Sequence, residues 1–195
     1  MRYFILCVLG LFINISYAID IVPISNFDSN KYLGNWYEIA RLPNRFEKNC
    51  IAPITANYSV NPDNNLQIIV VNKCNTKNNE PDVATGVAKF VEFATVGKLK
   101  VTFLPKWLRW LPVGYGDYWI LNTDYDNISV VGSPDHEYLW ILARTENTNQ
   151  DQLNQAIEFA KEQGFDVSKL IFNYAATSHK YSVARGVKMD YFANR

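Results

Sequence analysis

Histidine is nearly missing from this chain of 195 residues: there are two, His136 and His179. That scarcity removes most metal-centre and general-base chemistry before any motif is sought. No H-E-x-x-H, no G-x-S-x-G and no phosphate-cradling glycine loop occurs. An excess of one charge is missing too. With 19 basic and 19 acidic residues, nothing electrostatic argues for nucleic acid or a strongly anionic surface as partner. Beyond the first twenty residues no apolar run is long enough to cross a bilayer as a helix. Cysteine is scarce, with Cys7, Cys50 and Cys74 the full set. What the chain has in quantity is apolar and aromatic residues, 48% and 14%, enough for the core of one domain.

The N-terminus stands apart. Arg2 precedes the apolar run "YFILCVLGLFI", and Ser16 and Ala18 are the small residues that a signal peptidase needs. The expectation is a signal peptide over 1–18 cleaved after Ala18, the alternative being an uncleaved anchor. The residue after the cleavage point is Ile19 and not cysteine, so no lipid anchor is predicted. The mature domain, 19–174, then enters the periplasm or the extracellular space, followed by a tail over 175–195. That tail carries Lys180, Arg185, Lys188 and Arg195 against Asp190, and reads either as a surface-binding arm or as a merely solvated end.

Loss of Cys7 with the signal leaves Cys50 and Cys74 in an oxidising compartment, which favours a disulfide. The turn "NPDNN" separates two apolar runs that end on these cysteines. A hairpin pairing Tyr58 with Leu66, Ala56 with Ile68 and Ile54 with Val70 also pairs Cys50 with Cys74, and a one-residue slip destroys the match. The alternative is two free thiols.

Strand-like segments separated by turn signals fall at about 36–42, 52–60, 66–74, 83–93, 97–104, 115–122, 127–132 and 137–144. In "GKLKVTF" the apolar Leu99, Val101 and Phe103 alternate with polar residues, the mark of a half-wet strand. One helix is clear in "NQDQLNQAIEFAKEQG". Asn149 or Thr148 caps it, Gly164 ends it, and Leu153, Ala156, Ile157 and Ala160 make its apolar stripe. "SKLIFNY" reads as one more short strand. The fold class is all-β: an eight-stranded antiparallel up-and-down barrel with one C-terminal α-helix packed outside.

Three phrases carry a resemblance. "YLGNWYEIARLPNRFE" holds Gly34 and Trp36 at the first strand, "LNTDYDN" holds Thr123, Asp124 and Tyr125, and "LWILAR" ends on Arg144. In this order, before a helix and with "GFDVSK" after it, they resemble the signature regions of lipocalins, most of all the bacterial lipocalins and their apolipoprotein D-like relatives. The resemblance implies that Trp36 plugs the closed end of the barrel and that Arg144 packs over it. A guanidinium can stack on an indole while its donors reach backbone carbonyls. It also places Thr123, Asp124 and Tyr125 in a structural turn at that end.

The inward face follows from parity and, in part, from the resemblance: Ala56, Tyr58, Ile68, Val70, Ala88, Phe90, Leu99, Val101, Phe103, Tyr118, Ile120, Tyr138, Trp140 and Leu142 are the predicted ligand-binding residues, with Trp119 outside. Glu38 shares the parity of Trp36, and reads either as an inward carboxylate or as a wet or paired one. Turns alternate between the barrel's ends, which puts "PKWLRWLPVG" at the open one. Trp107, Leu108, Trp110 and Leu111 are expected to form an apolar rim that contacts membrane or cargo, the alternatives being an inward lid or an oligomer interface. "LPNRFEKNC" would form the opposite rim.

Such a lining suits a small hydrophobic ligand, and the resemblance to the bacterial branch points to a fatty acid or lysophospholipid. Peripheral membrane contact and a monomer or homodimer are expected; no nucleic acid, metal or cofactor is. Two rivals are a pigment or isoprenoid carrier and a lipid-modifying enzyme. For the second, Ser133, Asp135 and His136 crowd a single turn, whereas a triad must converge from separate elements.

Overall fold

The computed structural model describes residues 20–173; the expected signal peptide and basic tail lie outside the described residues. Eight strands follow one another, each antiparallel to the next: β1 (Gly34–Arg41), β2 (Cys50–Asn61), β3 (Asn64–Thr76), β4 (Pro81–Phe90), β5 (Lys98–Thr102), β6 (Gly116–Thr123), β7 (Ile128–Gly132) and β8 (Leu139–Ala143). Because β1 pairs with both β2 and β8, the sheet closes on itself. "SKLIFNY" supplies a two-residue strand, β9 (Ile171–Phe172), on Ala40 and Arg41 of β1. A one-turn helix, α1 (Ser29–Tyr32), lies under the entry to β1, and α2 (Gln150–Glu162) packs outside.

Two faces of the same sheet build two cores. On β8 the sequence Leu139–Ala143 is apolar throughout because both faces are covered. Trp140 and Leu142 belong to the interior, while Leu139, Ile141 and Ala143 meet Leu153, Ala156 and Ala160 of α2. Asn149 caps α2, its side-chain oxygen accepting the N–H groups of Asp151 and Gln152. Gly164, at φ +90°, ends it.

The β2–β3 hairpin has the predicted faces in a different register. Tyr58 pairs with Val70, Ala56 with Asn72 and Val60 with Ile68, so the partner numbers are displaced by four from the expected Tyr58–Leu66 and Ala56–Ile68. An even displacement keeps every side chain on its face, which is why alternation alone could not detect it. Irregularities between Ile51 and Thr55 and between Val60 and Asn61 absorb the difference. Cys50 consequently pairs with Thr76, yet Cys74 is on the same face of β3, its Cα is 5.5 Å from that of Cys50, and the disulfide forms.

At the closed end Trp36 is completely buried, and the Arg144 guanidinium carbon lies 3.8 Å from its ring centroid. Arg144 donates to the carbonyls of Lys31, Leu33, Asn35 and Tyr125, while the Trp36 indole N–H donates to the Tyr32 carbonyl. Gly34 takes φ +95° where the chain turns from α1 into β1, a conformation that an L side chain rarely adopts. In the β6–β7 turn, burial works against ionisation of Asp124. The N–H groups of Asn127 and Ile128, which it accepts, outweigh that and hold its pKa below the usual range. Asp124 and Tyr125 are therefore turn builders, and the Tyr125 hydroxyl also accepts the Asp28 N–H.

The disulfide closes a loop with a sequence separation of 24. Replacing both partners, Cys50→Ala with Cys74→Ala, is expected to lower unfolding free energy by about 3 kcal/mol, read as a reduced urea midpoint.

Candidate ligand cavity

One cavity of about 750 Å³ fills the barrel above Trp36. Its wall includes Ala56 and Tyr58 (β2), Ile68 and Val70 (β3), Ala88 (β4), Leu99 and Val101 (β5), Tyr118 and Ile120 (β6), and Trp140 and Leu142 (β8). Phe103 and Tyr138 line it nearer the mouth. Of the residues expected to face inward, only Phe90 is displaced from the lining. It lies at the closed end, its ring 6.4 Å from Phe27, where the segment before α1 crosses beneath the barrel. Trp119 faces outward as expected, partly buried against the α2-side core with the Lys98 ammonium 5.0 Å from its ring.

The Trp-rich connection borders the mouth. None of Trp107, Leu108, Trp110 and Leu111 lines the cavity; Phe103, Leu104, Val113, Gly114 and Tyr115 of the same segment form that edge of the mouth. The reason is a set of anchors that bend the segment outward. The Leu104 N–H donates to the hydroxyl of Thr102, the Arg109 side chain donates to the Leu104 carbonyl, and the Lys106 ammonium meets Asp63 at 3.1 Å. Leu108 and Leu111 are half-buried, whereas Trp107 and Trp110 are 74% and 76% exposed. The opposite rim is as predicted: Arg45, Phe46 and Glu47 line the mouth, with Phe46 packed 5.9 Å from Tyr138.

Sequence reading missed a polar band in this apolar wall. Glu38 is both inward and paired. A bulge in β1 between Glu38 and Ala40 sends Ile39 and Ala40 to the outer core and turns Arg41 back beside Trp140, its partner on β8. The Arg41 guanidinium contacts Glu47 at 2.7 Å and Glu38 at 3.4 Å. The Trp140 indole N–H donates to Glu47 at 3.3 Å, and the Asn173 amide donates to Glu38 at 2.6 Å. Burial, then the neighbouring Glu47 charge, pushes the Glu38 pKa well above the usual carboxylate range against the pull of Arg41. Two carboxylates therefore share one guanidinium, an arrangement that works against ionisation of Glu38.

Below this band Tyr58 and Tyr118 join hydroxyls at 2.6 Å, and the Tyr32 hydroxyl lies 3.3 Å from Ser129. Burial raises all three phenols, Tyr32 to about 12. They act as neutral hydrogen-bonding groups. Tyr32 comes from α1, an element no periodicity announced; Asn72 could have been found by continuing the Ile68 and Val70 parity one step.

The Ser133–Asp135–His136 group is a turn. Ser133 bonds Asp135, its hydroxyl accepts the Tyr138 N–H, and His136, at φ +61°, bonds the Gln163 carbonyl. Cys50, Cys74 and Asp82 lie together, but the sulfurs are bonded to each other and offer no thiolate to a metal.

A closed antiparallel barrel with a sealed floor, one mouth and an apolar interior defines a small-ligand-binding β-barrel. Residues 27–175 match the lipocalin-like domain, and the chain belongs to that family. It is 37% identical over 155 residues to the outer membrane lipoprotein Blc of Vibrio cholerae, covering 78% of this chain and 85% of that one. It is 33% identical over 153 residues to mouse apolipoprotein D, covering 74% and 75%. The structure of insecticyanin from the tobacco hornworm superposes with a TM-score of 0.62 at 21% identity, covering 85% and 90%, and shares the fold. Binding or transport of a small hydrophobic ligand follows at the level of the family.

Because Glu38 takes up its proton more readily in the folded state than in the unfolded chain, its contribution favours folding most at acid pH. That contribution declines as pH rises from the ordinary glutamate range through the elevated value. Glu38→Gln is expected to flatten this limb, measured as thermal midpoints of variant and parent across pH.

Proposed function

We propose that the protein is a non-enzymatic carrier, released to the periplasm or extracellular space without a lipid anchor, that takes up a single-chain lipid such as a fatty acid or lysophospholipid. The observation that carries this reading is the single-mouthed cavity of about 750 Å³, whose depth is lined by Ile68, Val70, Leu99, Ile120 and Leu142. Burial of apolar ligand surface contributes roughly 25 cal/mol per Å² before the costs of association, enough for a useful affinity from one acyl chain. Exchange with a bilayer is assigned to the rim. Trp107, Trp110 and Val113, with Phe46 opposite, expose apolar surface at the open end, and Lys106 and Arg109 can meet headgroups. The protein acts as a monomer or homodimer.

Native mass spectrometry followed by solvent extraction is expected to find one acyl lipid per chain, and Ala56→Phe, which fills the cavity from β2, is expected to abolish its retention. A protein that is empty and takes up neither fatty acid nor lysophospholipid would refute the carrier reading. Trp107→Ser with Trp110→Ser is expected to slow transfer of a fluorescent fatty acid to lipid vesicles by about tenfold, equivalent to 1.4 kcal/mol, at unchanged equilibrium capacity.

A further inference from the structure

Aromatic rings run from the floor of the barrel to its rim as one continuous series. Tyr32, Tyr58, Tyr118, Trp140, Tyr138 and Phe46 follow one another with successive centroids 5.3, 6.3, 6.2, 5.7 and 5.9 Å apart. They come from α1, β2, β6, β8 and the loop after β1, so the series crosses the bore instead of following one wall. The crossing is the step from Tyr58 to Tyr118. β2 and β6 face each other: β3, β4 and β5 separate them one way round the closed sheet, and β1, β8 and β7 the other. The two side chains reach inward from opposite walls until their hydroxyl oxygens lie 2.6 Å apart, a contact that holds whichever oxygen supplies the proton.

This pair is a bar across the cavity, braced at both ends. Tyr58 meets the ring of Tyr32 edge-on, and Tyr32 in turn lies 5.0 Å from Trp36 on the floor. Tyr118 lies against Trp140, which Tyr138 covers in a near-parallel stack. On that side of the bar β1 and β8 also contribute Glu38 and Leu142. On the other side the wall made by β3, β4 and β5 presents Ile68, Val70, Ala88, Leu99 and Val101, an aliphatic trough with neither ring nor charge. The cavity continues past the bar, where Tyr32 and Ile120 line it. A polymethylene chain is slender and can bend round a fixed obstacle. A rigid fused-ring body cannot, and entry to the lower cavity would require the two tyrosines to part in a closely packed section of the barrel.

Resting on the carrier reading, we propose that the Tyr58–Tyr118 bar determines the shape of the cargo: one straight hydrocarbon chain passes between the bar and the β3–β5 wall, and fused-ring molecules are held out.

The test compares cis-parinaric acid, a straight-chain polyene acid, with dehydroergosterol, a fused-ring sterol. Both fluoresce on energy transfer from tryptophan, and Trp140 stands 6.2 Å from Tyr118 to supply it. The unaltered protein is expected to bind the acid at least about tenfold more tightly than the sterol, the penalty for forcing a rigid body into a filled section. Tyr118→Ala removes half of the bar and is expected to raise sterol affinity by about tenfold while the acid still binds. The comparison on the unaltered protein decides the matter if that variant fails to fold. Sterol binding by the unaltered protein as tight as that of the acid overturns the inference alone, as does a Tyr118→Ala protein that binds the acid and gains no sterol affinity. Failure of both probes to bind the unaltered protein overturns the carrier reading and the inference with it.

Discussion

The stacking of Arg144 on Trp36 is the constraint on which the rest of the molecule depends. A barrel of eight strands is open at both ends until something seals one of them, and here an indole fills the bore while a guanidinium covers it from below. The guanidinium has five N–H donors in a fixed fork, and four of its hydrogen bonds go to carbonyls of three separate pieces: α1, the entry to β1 and the β6–β7 turn. Three of those carbonyls, on Lys31, Leu33 and Tyr125, lie outside the sheet and the fourth is on Asn35 near the start of β1, so one side chain satisfies acceptors that closure would otherwise strand. Without a floor, the apolar interior would be a wet channel and not a binding site.

The sealed end also explains why two cores coexist in so small a domain. The interior cluster, from Tyr32 and Trp36 up to Leu142, forms the floor and lower wall of the cavity, and an interior left partly empty contributes less burial than a filled one. The outer cluster beneath α2 compensates. Ile39, Ala40, Val130, Ile141, Leu153 and Ala160 are all buried there, and this core does not depend on whether the cavity is occupied.

How far the sequence revealed this arrangement follows from the range over which each signal acts. Strand faces, the cap and stop of α2, and the Cys50–Cys74 pairing were legible because alternation, capping chemistry and a single even cysteine pair are local or nearly so. The hairpin register was not, since any even displacement preserves the face of every side chain, and bulges rather than alternation fixed it. α1 escaped because one turn of helix has no period; its determinants are the Asp28 cap and the contact of Tyr32 with Trp36. Phe90 was misplaced, and the bend of the Trp-rich segment was not foreseen, for a shared reason. Parity says which side of the sheet a residue takes, but not how far a strand extends beyond the cavity or where a connection bends.

The polar band was the least legible feature, and its physics shows why it is tolerated. Simple parity sends Arg41 outward from Glu38; the β1 bulge brings both to one side, and no residue in "WYEIAR" announces a bulge. Once together with Glu47, the three groups carry two potential negative charges and one positive. A full negative charge left beside the cavity would have a severe desolvation cost. Burial and the Glu47 charge favour the neutral form of Glu38, which lowers that cost, and the Trp140 and Asn173 donors satisfy carboxylate oxygens that face protein and not water. The same group ties the rim to the wall. Glu47 belongs to the connection after β1, where Asn44 accepts the N–H groups of Phe46 and Glu47 and donates to the Glu47 carboxylate. The loop that borders the mouth is therefore fixed by the same carboxylate that faces the interior, so the shape of the entrance and the polarity of the cavity are set by one residue.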